Sequence, residues 1–214
     1  MLVFSDQQLT YLATPKTGTT AIEMALRATA EISFGKRRKH MNAARFHGKV
    51  APFLKKTFGI KTETVAVMRS PVDQIRSWYK YRARPEVDGS ARSSADTSFD
   101  EFVLAVISDD PPEYAQIGSQ YDFLTDDSGM VLVNHLFAYE DQDAFLSFLE
   151  KRLGKAIELK RKNVSPWLDA ELSPDVEKKL RAARPEEFAL YARLMAAGGY
   201  LHAPGLPTSP ASDG

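Results

Sequence analysis

The segment "PKTGTT", residues 15–20, combines side chains that are suited to holding an anion. The aliphatic, aromatic and β-branched residues before it, 9–14, predict a short β-strand. The residues after it predict an α-helix, because one face repeats at helical spacing: Ile22, Ala25, Leu26 and Thr29. A helix N-terminus presents unpaired N–H groups and a partial positive charge. Together with Lys16 and three hydroxyl groups, this junction predicts a phosphate or sulfate site.

The same loop has an ordinary structural interpretation. Thr19 or Thr20 would be the N-cap of the helix, Gly18 a turn residue and Lys16 a solvated surface charge. The loop alone leaves both interpretations open, so other segments must decide between them.

A second strand, loop and helix follow in "TVAVMRSPVDQIRSWYKY". The continuous apolar run at residues 65–68 is typical of a strand buried on both faces of a parallel sheet. Ser70 and Pro71 occupy the positions of an N-cap and a first helical residue, and a helix face follows at Val72, Ile75 and Tyr79. Ligands of such folds bind at the carboxyl ends of parallel strands. We therefore expect the Lys16 loop and Arg69 to flank one crevice.

The rest of the chain continues the alternation of strands and helices. Residues 130–139 predict a strand, and Asp141 is expected to cap a helix that Gly154 ends. A further short strand is expected from Ala156. Pro52 is expected to break a helix that follows the basic run at residues 36–39. Other helix starts are indicated at Ser98, by a capping-box pattern, and near Ser173 and Pro185.

This alternation predicts an α/β fold. We expect one domain over residues 1–203, with a mostly parallel central sheet flanked by helices. Residues 204–214 are rich in Pro, Ser and Gly and predict a disordered tail.

Composition narrows the function. The chain has 28 Lys and Arg and 28 Asp and Glu in 214 residues, and this balance argues against a general nucleic-acid or membrane-surface binder but leaves a local basic patch open. The absence of cysteine excludes disulfides, thiol nucleophiles and cysteine-ligated metals. No leader or membrane-length apolar run is evident, so a cytoplasmic location is expected. Four scattered histidines lack metal-site spacing, and no metal is expected.

The two loops together resemble a known family. "PKTGTT" resembles the 5′-phosphosulfate loop of the sulfotransferases that use 3′-phosphoadenosine 5′-phosphosulfate (PAPS). "MRSPVDQIRSWY" resembles their second signature, in which an arginine at a strand end and a serine eight residues later bind the 3′-phosphate. Later segments are similar to smaller bacterial members and their carbohydrate-modifying relatives. The resemblance spans residues 9–194 and implies a P-loop-like fold and PAPS as cofactor.

The resemblance also implies roles for individual residues. Lys16 would be catalytic, because it neutralises charge on the bridging oxygen as 3′,5′-ADP leaves. The 3′-phosphate would be bound by Arg69 and Ser77, and a late loop over the nucleotide would contribute Arg161 and Lys162. The donors to the 5′-phosphate would be Lys16, Thr17, Gly18, Thr19 and Thr20.

The acceptor hydroxyl needs a base. The resemblance implies a Lys-His pair after the first helix, and His40 is the histidine of that pair in this sequence. An imidazole titrates near neutrality and suits general base catalysis. His47 is the second candidate, because it lies seven positions later and would share a helix face with His40. His135 falls within a predicted strand and is expected to be structural. The basic run at residues 36–39 is either a solvated loop or an attractant for an anionic cofactor or acidic saccharide.

Two other functions remain open at this point. A kinase or NTPase is disfavoured, because the lysine precedes the glycine and the strand at residues 65–68 ends in arginine instead of aspartate. A non-catalytic nucleotide-binding protein would keep both loops and lack a working base. The acceptor, a small molecule or a saccharide, and the oligomeric state are not specified by the sequence.

Overall fold

A central sheet orders the described part of the chain. The computed structural model describes residues 1–159 and 170–203. Within them, a six-stranded sheet has the order β3-β1-β2-β4-β5-β6. The strands are β1 (Leu2–Phe4), β2 (Leu9–Tyr11), β3 (Ile32–Ser33), β4 (Glu63–Met68), β5 (His135–Ala138) and β6 (Tyr200–His202).

The sheet is mixed. Only its centre is parallel, where β4 pairs with β2 on one side and β5 on the other. β1 pairs antiparallel with β2 and β3, and β6 pairs antiparallel with β5. The prediction of a mostly parallel sheet is therefore wrong. The prediction was based on the three strand-helix units, each of which supplies one parallel strand. β1, however, joins β2 through a short reversal at residues 5–8 with no intervening helix, so these two strands are antiparallel.

Helices cover both faces of the sheet. They are α1 (Thr19–Leu26), α2 (Ala43–Arg45), α3 (Ala51–Phe58), α4 (Pro71–Arg82), α5 (Phe99–Val106), α6 (Gln120–Leu124), α7 (Gln142–Leu153), α8 (Pro174–Ala183) and α9 (Pro185–Ala196). Along β4, Val65 and Val67 pack into one apolar cluster with α1 and α7, while Ala66 and Met68 pack into another with α2, α3 and α9. This alternation of side chains makes the α/β layering.

Several helix boundaries agree with the sequence predictions. Ser98 forms the expected capping box with Glu101 at the start of α5. Asp141 Oδ1 accepts a hydrogen bond from the N–H of Ala144, and Gly154 ends α7 in a left-handed conformation. α8 begins directly after Ser173, and α9 begins at Pro185, both as predicted. The helix break expected at Pro52 is absent: the backbone stays helical from α2 through a π-helical turn (Phe46–Val50) into α3, and Pro52 lies in the first turn of α3, where its missing N–H is tolerated.

The strand predicted over residues 130–139 is shorter than expected. Val131 instead forms an isolated bridge with Thr125. The side-chain Oδ1 of Asn134 accepts hydrogen bonds from the N–H of Thr64 at 2.8 Å and from its hydroxyl at 3.0 Å. The amide side chain thus takes the place of a backbone partner, and regular pairing starts only at β5.

Two other predictions have different outcomes. Residues 156–159 form no strand, and the rest of that predicted segment lies outside the described residues, as does the tail at 204–214. Across residues 1–159 and 170–203, no helix is long and apolar enough to cross a membrane.

Candidate anion-binding site

A cavity of about 870 Å³ lies beyond the carboxyl ends of the three parallel strands. The loops that follow β2, β4 and β5 all contribute to its wall, as the topology of a parallel sheet requires. The cavity brings together most of the predicted site residues: Lys16, Gly18, Thr19, Thr20, His40, Arg69 and Ser77.

The loop before α1 leaves the start of that helix open. Gly18 is the N-cap residue with φ 73°, and no side chain caps the helix. The alternative in which Thr19 or Thr20 serves as the N-cap is therefore wrong. Lys16 also has a left-handed φ of 68°, which is uncommon outside glycine and is stored strain. The uncapped N–H groups of α1 are thus free for a ligand in the cavity.

Thr17 has a structural role in this loop. Its hydroxyl donates a hydrogen bond to the carbonyl of Thr14 at 2.9 Å, and the side chain is buried. The hydroxyl therefore fixes the loop and does not line the cavity. Only the backbone of Thr17 remains available for the predicted role at the 5′-phosphate.

Lys16 is the most perturbed titratable group of the cavity. Burial, reinforced by three nearby arginines, lowers the pKa of Lys16 to about 7; the arginines are Arg84, Arg69 and Arg82. Its Nζ lies 4.0 Å from the ring centroid of Tyr81 and 5.1 Å from that of Trp78. These ring faces favour the charged amine and partly offset the desolvation. A bound anion would favour the charged form of Lys16 and raise its pKa.

Positive charge dominates the cavity wall. The cations are Lys16, Lys39, Arg69, Arg82, Arg84 and Arg92, against one carboxylate, Glu86. Lys39 pairs with Glu23 at 2.9 Å and Arg92 with Glu113 at 2.6 Å. Among the described residues, no carboxylate partner is found for the other four, Lys16, Arg69, Arg82 and Arg84. Uncompensated cations around one cavity favour the binding of an anion.

Arg69 is held through its backbone. Gln120 Oε1 accepts a hydrogen bond from the Arg69 N–H at 2.8 Å, and Gln120 Nε2 donates to the Arg69 carbonyl at 2.9 Å. The carboxylate of Glu187 accepts hydrogen bonds from the backbone N–H and side-chain amide of Gln120. Both Gln120 and Glu187 are buried, at 1% and 2% exposure. The buried amide therefore fixes the direction in which the Arg69 side chain leaves the strand.

The guanidinium of Arg69 is only partly satisfied. Its carbon lies 4.6 Å from the ring centroid of Tyr139, and its buried Nε has no hydrogen-bond partner among the described residues. An unpaired buried donor costs free energy, on the order of 1–3 kcal/mol. A ligand anion would remove that cost.

One face of α4 forms a side of the cavity. Ser77 and Tyr81 lie four residues apart on it, as do Trp78 and Arg82. The guanidinium of Arg84, just beyond the helix, lies 5.1 Å from the Tyr81 ring centroid. Tyr81 therefore contacts two cations, and α4 supplies far more of the site than Ser77 alone.

His40 has a fixed tautomer. Its Nδ1 lies 2.6 Å from the carbonyl oxygen of Ala13, which can only accept, so Nδ1 carries the proton. In the neutral ring Nε2 then has a lone pair. Desolvation lowers the pKa of His40 below its ordinary value, although part of the ring meets solvent. The arrangement matches that of a general base.

His47 does not line the cavity. Its Nε2 donates to the carbonyl of Leu132 at 2.9 Å, and its ring packs edge-on against Phe46. The expected shared face does not exist, because Asn42 caps α2 and leaves His40 outside the helix. Arg161 and Lys162 lie outside the described residues.

Sequence analysis missed several contributors to the site. Tyr81 and Arg84 belong to no recognised motif. The four-residue spacing between Ser77 and Tyr81 was nevertheless a usable signal, because it places both residues on the same face of a helix. Tyr139 follows β5 directly, and its position at a strand end was also readable. Gln120 had no sequence signal, because it acts only through the backbone of Arg69.

The described residues contain no group of three or more His, Cys, Asp or Glu side chains that could hold a metal ion. Comparison with protein-family models finds no matching family, and comparison with the curated proteins finds no matching relative.

Lys16→Met should stabilise the unliganded protein near pH 6. Folding lowers the pKa of Lys16, so the folded protein binds fewer protons than the unfolded protein between about pH 7 and 10.5. The free energy of unfolding therefore falls as pH falls through this range. Removing the amine should raise Tm at pH 6 by roughly 4–8 °C, for about 2 kcal/mol.

Thermal denaturation between pH 6 and pH 10 measures this effect. The gain in Tm should shrink towards pH 10, where the lysine is neutral in the folded state and begins to lose its proton in the unfolded state as well. The exposed Lys179→Met is the matched control and should show no such pH dependence. A destabilised Lys16→Met protein at pH 6 would mean that the lysine is a structural contact.

Proposed function

We propose that this protein is an enzyme that transfers a sulfuryl group from PAPS to a hydroxyl or amine of an acceptor, on a P-loop-like α/β fold. One observation carries the proposal. The uncapped N-terminus of α1 with Lys16, and the Arg69 and Ser77 pair, line a single cavity with excess positive charge. Two anion-binding loops in one cavity match a nucleotide that carries phosphates at both its 3′ and 5′ positions.

The 5′-phosphosulfate would lie at the start of α1. There the open N–H groups and the side chains of Thr19 and Thr20 supply donors, and Gly18 lets the backbone approach closely. Lys39 Nζ lies 3.4 Å from Thr20 Oγ1 and adds positive charge beside this end.

The 3′-phosphate would lie between Arg69 and Ser77. A guanidinium makes parallel charge-assisted bonds to a phosphate, and the orphaned Nε of Arg69 provides a donor. A neighbouring cavity of about 280 Å³ shares Gly18, Ala21 and Tyr139 with the first and is otherwise lined largely by aliphatic and aromatic side chains. This apolar surface would pack against the nucleoside base.

Lys16 would act on the leaving group. PAPS supplies an activated sulfuryl group, and the departing 3′,5′-ADP takes the electron pair of the broken bond to its 5′-phosphate oxygen. A protonated Lys16 meets that charge, which is larger in the transition state than in the bound cofactor. The anion itself would restore the proton, since it counters the burial and the arginines that lower the pKa of Lys16.

His40 would act on the acceptor. Its Nε2 lone pair takes the proton of the acceptor hydroxyl as the new sulfur–oxygen bond forms. The carbonyl of Ala13 holds the ring and stabilises the imidazolium that results. Because Ala13 lies in the same loop as Lys16, the base and the leaving-group cation are positioned by one stretch of backbone.

The residues that line the cavity favour sulfuryl transfer over phosphoryl transfer. Phosphoryl transfer from a nucleotide relies on carboxylates that hold magnesium against the phosphates. Here Arg69 follows β4 where such an aspartate would stand, and Glu86 is the only carboxylate among the described residues of the cavity wall. A sulfuryl group carries less charge, and Lys16 with N–H donors suffices for it.

The nucleotide preference tests the 3′-phosphate site. 3′,5′-ADP should stabilise the protein against heat without magnesium, and ADP much less. Charge-assisted bonds to the 3′-phosphate contribute about 1.5–3 kcal/mol, so affinities should differ by roughly 10- to 150-fold. Titration of both nucleotides by calorimetry measures the ratio. Arg69→Ala should remove the preference, while the exposed Arg181→Ala should keep it. Equal affinities in the wild type would rule out this site.

Binding of 3′,5′-ADP should also take up a proton. At pH 8 the amine of Lys16, with a pKa of about 7, is mostly neutral, and the bound phosphate favours its charged form. Calorimetry in buffers of different ionisation enthalpy should give close to one proton per site at pH 8. Affinity should fall as pH rises above 7. Persistent uptake in Lys16→Met would assign the proton to another group.

Turnover tests the base. Labelled PAPS, offered with pools of saccharides, alcohols and phenols, should transfer label to a component of one pool. His40→Ala should then lower the saturated rate by roughly 10²–10⁴-fold with 3′,5′-ADP affinity unchanged. The wild-type rate should fall on the acid side, at a pH below the ordinary range of histidine, because burial lowers the pKa of His40, and this limb should vanish in the variant. His47→Ala is the control.

If the nucleotide binds with the expected preference but no acceptor pool is labelled, a non-catalytic nucleotide-binding protein becomes the better account.

A further inference from the structure

Charge is unevenly distributed along this chain. Residues 32–62 hold nine of the 28 lysines and arginines and none of the 28 acidic residues. The formal net charge of zero therefore conceals one strongly basic segment. It comprises the end of β3, the loop to α2, and α2 with α3.

Most cations of this segment lack partners. Lys39 pairs with Glu23, but the other lysine and arginine side chains of the segment that the structure describes have no carboxylate within ion-pair distance; they are Lys36, Arg38, Arg45, Lys49, Lys55, Lys56 and Lys61. The exposed members are Lys36, Arg38, Arg45, Lys49, Lys56 and Lys61. A surface of unpaired cations attracts an extended anionic partner.

The same segment exposes two phenylalanines. Phe53 and Phe58 on α3 are 55% and 58% exposed, and their rings meet edge to face with centroids 5.7 Å apart. Lys56 lies between them in the sequence and Lys61 follows shortly after. Paired aromatic rings that project into solvent among lysines form an amphipathic surface.

A groove beside α2 also combines apolar side chains with cations. Its volume is about 690 Å³, and its apolar residues, Phe34, Met41 and Val50, are buried or half-buried. The cations that line it, Arg38, Arg45 and Lys49, are less buried and form the rim. An apolar floor with a cationic rim matches an amphiphile whose anionic head lies above an apolar body.

We propose that the basic segment, residues 32–62, docks this protein on an anionic phospholipid bilayer. Lysines and arginines contact the headgroups, and Phe53 and Phe58 enter the interface. A polysaccharide would match the charge but offers no apolar interior to the phenylalanine pair. A nucleic acid could stack bases on exposed rings, but the rings of Phe53 and Phe58 lie edge to face and the groove also has an aliphatic lining, which acyl chains match better. The inference does not depend on the proposed sulfuryl transfer.

The phenylalanine end of the docking surface is separate from the cavity, although Lys39 and His40 of the same segment line the cavity. Phe58 lies five residues before the start of β4, whose carboxyl end faces the cavity, so the Phe58 end of α3 lies near the opposite edge of the sheet. Substitutions at Phe53 and Phe58 should therefore leave nucleotide binding and the fold unchanged.

Sedimentation with vesicles tests the proposal on the full chain. Vesicles of phosphatidylcholine with phosphatidylserine should bind the wild type, and vesicles of phosphatidylcholine alone should bind it at least tenfold less. Lys49→Gln/Lys56→Gln should reduce partitioning by roughly 30-fold, from about two headgroup contacts. Phe53→Ser/Phe58→Ser should reduce it at least tenfold.

Each variant has a matched control. Lys178→Gln/Lys179→Gln changes the charge equally on α8, and Met130→Ser/Met195→Ser removes two comparably exposed apolar side chains elsewhere. Both controls should bind vesicles like the wild type. Circular dichroism and Tm verify that every variant folds.

Three results would overturn the proposal. They are equal binding to both kinds of vesicle, unchanged partitioning in both test variants, and equal losses in the test and control pairs. Retention on immobilised heparin that depends on Lys49 and Lys56 but not on the phenylalanines, without vesicle binding, would also overturn it and identify a polyanion surface instead.

Discussion

The burial of Lys16 among like charges is the constraint on which the rest of the site depends. A buried amine beside three guanidinium groups raises the free energy of the unliganded fold, as its lowered pKa records. Such an arrangement persists only if the surrounding structure holds it in place. The left-handed backbone at Lys16 and Gly18, and the hydroxyl of Thr17, supply that support. The unliganded protein is thus less stable than it would be with an anion bound beside Lys16.

The sheet explains how distant residues come to share this cavity. Three parallel strands end at one edge, and each delivers a different group there: Lys16 after β2, Arg69 after β4 and Tyr139 after β5. Contacts from α6 and α9 restrict the backbone conformation of Arg69. Gln120 forms hydrogen bonds with both the N–H and the carbonyl of Arg69, and Glu187 accepts a hydrogen bond from the side chain of Gln120. Preorganisation of this kind lets a ligand meet donors that need no rearrangement.

Local patterns predicted the strand-helix units, because caps and apolar periodicity lie within a few residues of one another. Ser98 and Asp141 are examples, and the Lys16 and Arg69 loops followed from strand ends. Short strands were missed, since β1 exists only through its pairing with β2 and β3. The contact of Gln120 with Arg69 spans 51 residues and leaves no local signal. His47 was misplaced because a seven-residue spacing has meaning only inside a helix.

The cavity and the basic segment could in principle compete for anions, because Lys39 and His40 belong to both. Distance argues against this at the phenylalanine end of the segment. β4 has six residues, which at about 3.3 Å per residue separates its two ends by roughly 20 Å. The Debye length at physiological salt is about 8 Å, so charges that far apart across solvent are largely screened. A phosphate held at Lys16 and an anionic surface near Phe58 would therefore repel each other little, and one basic segment can serve both.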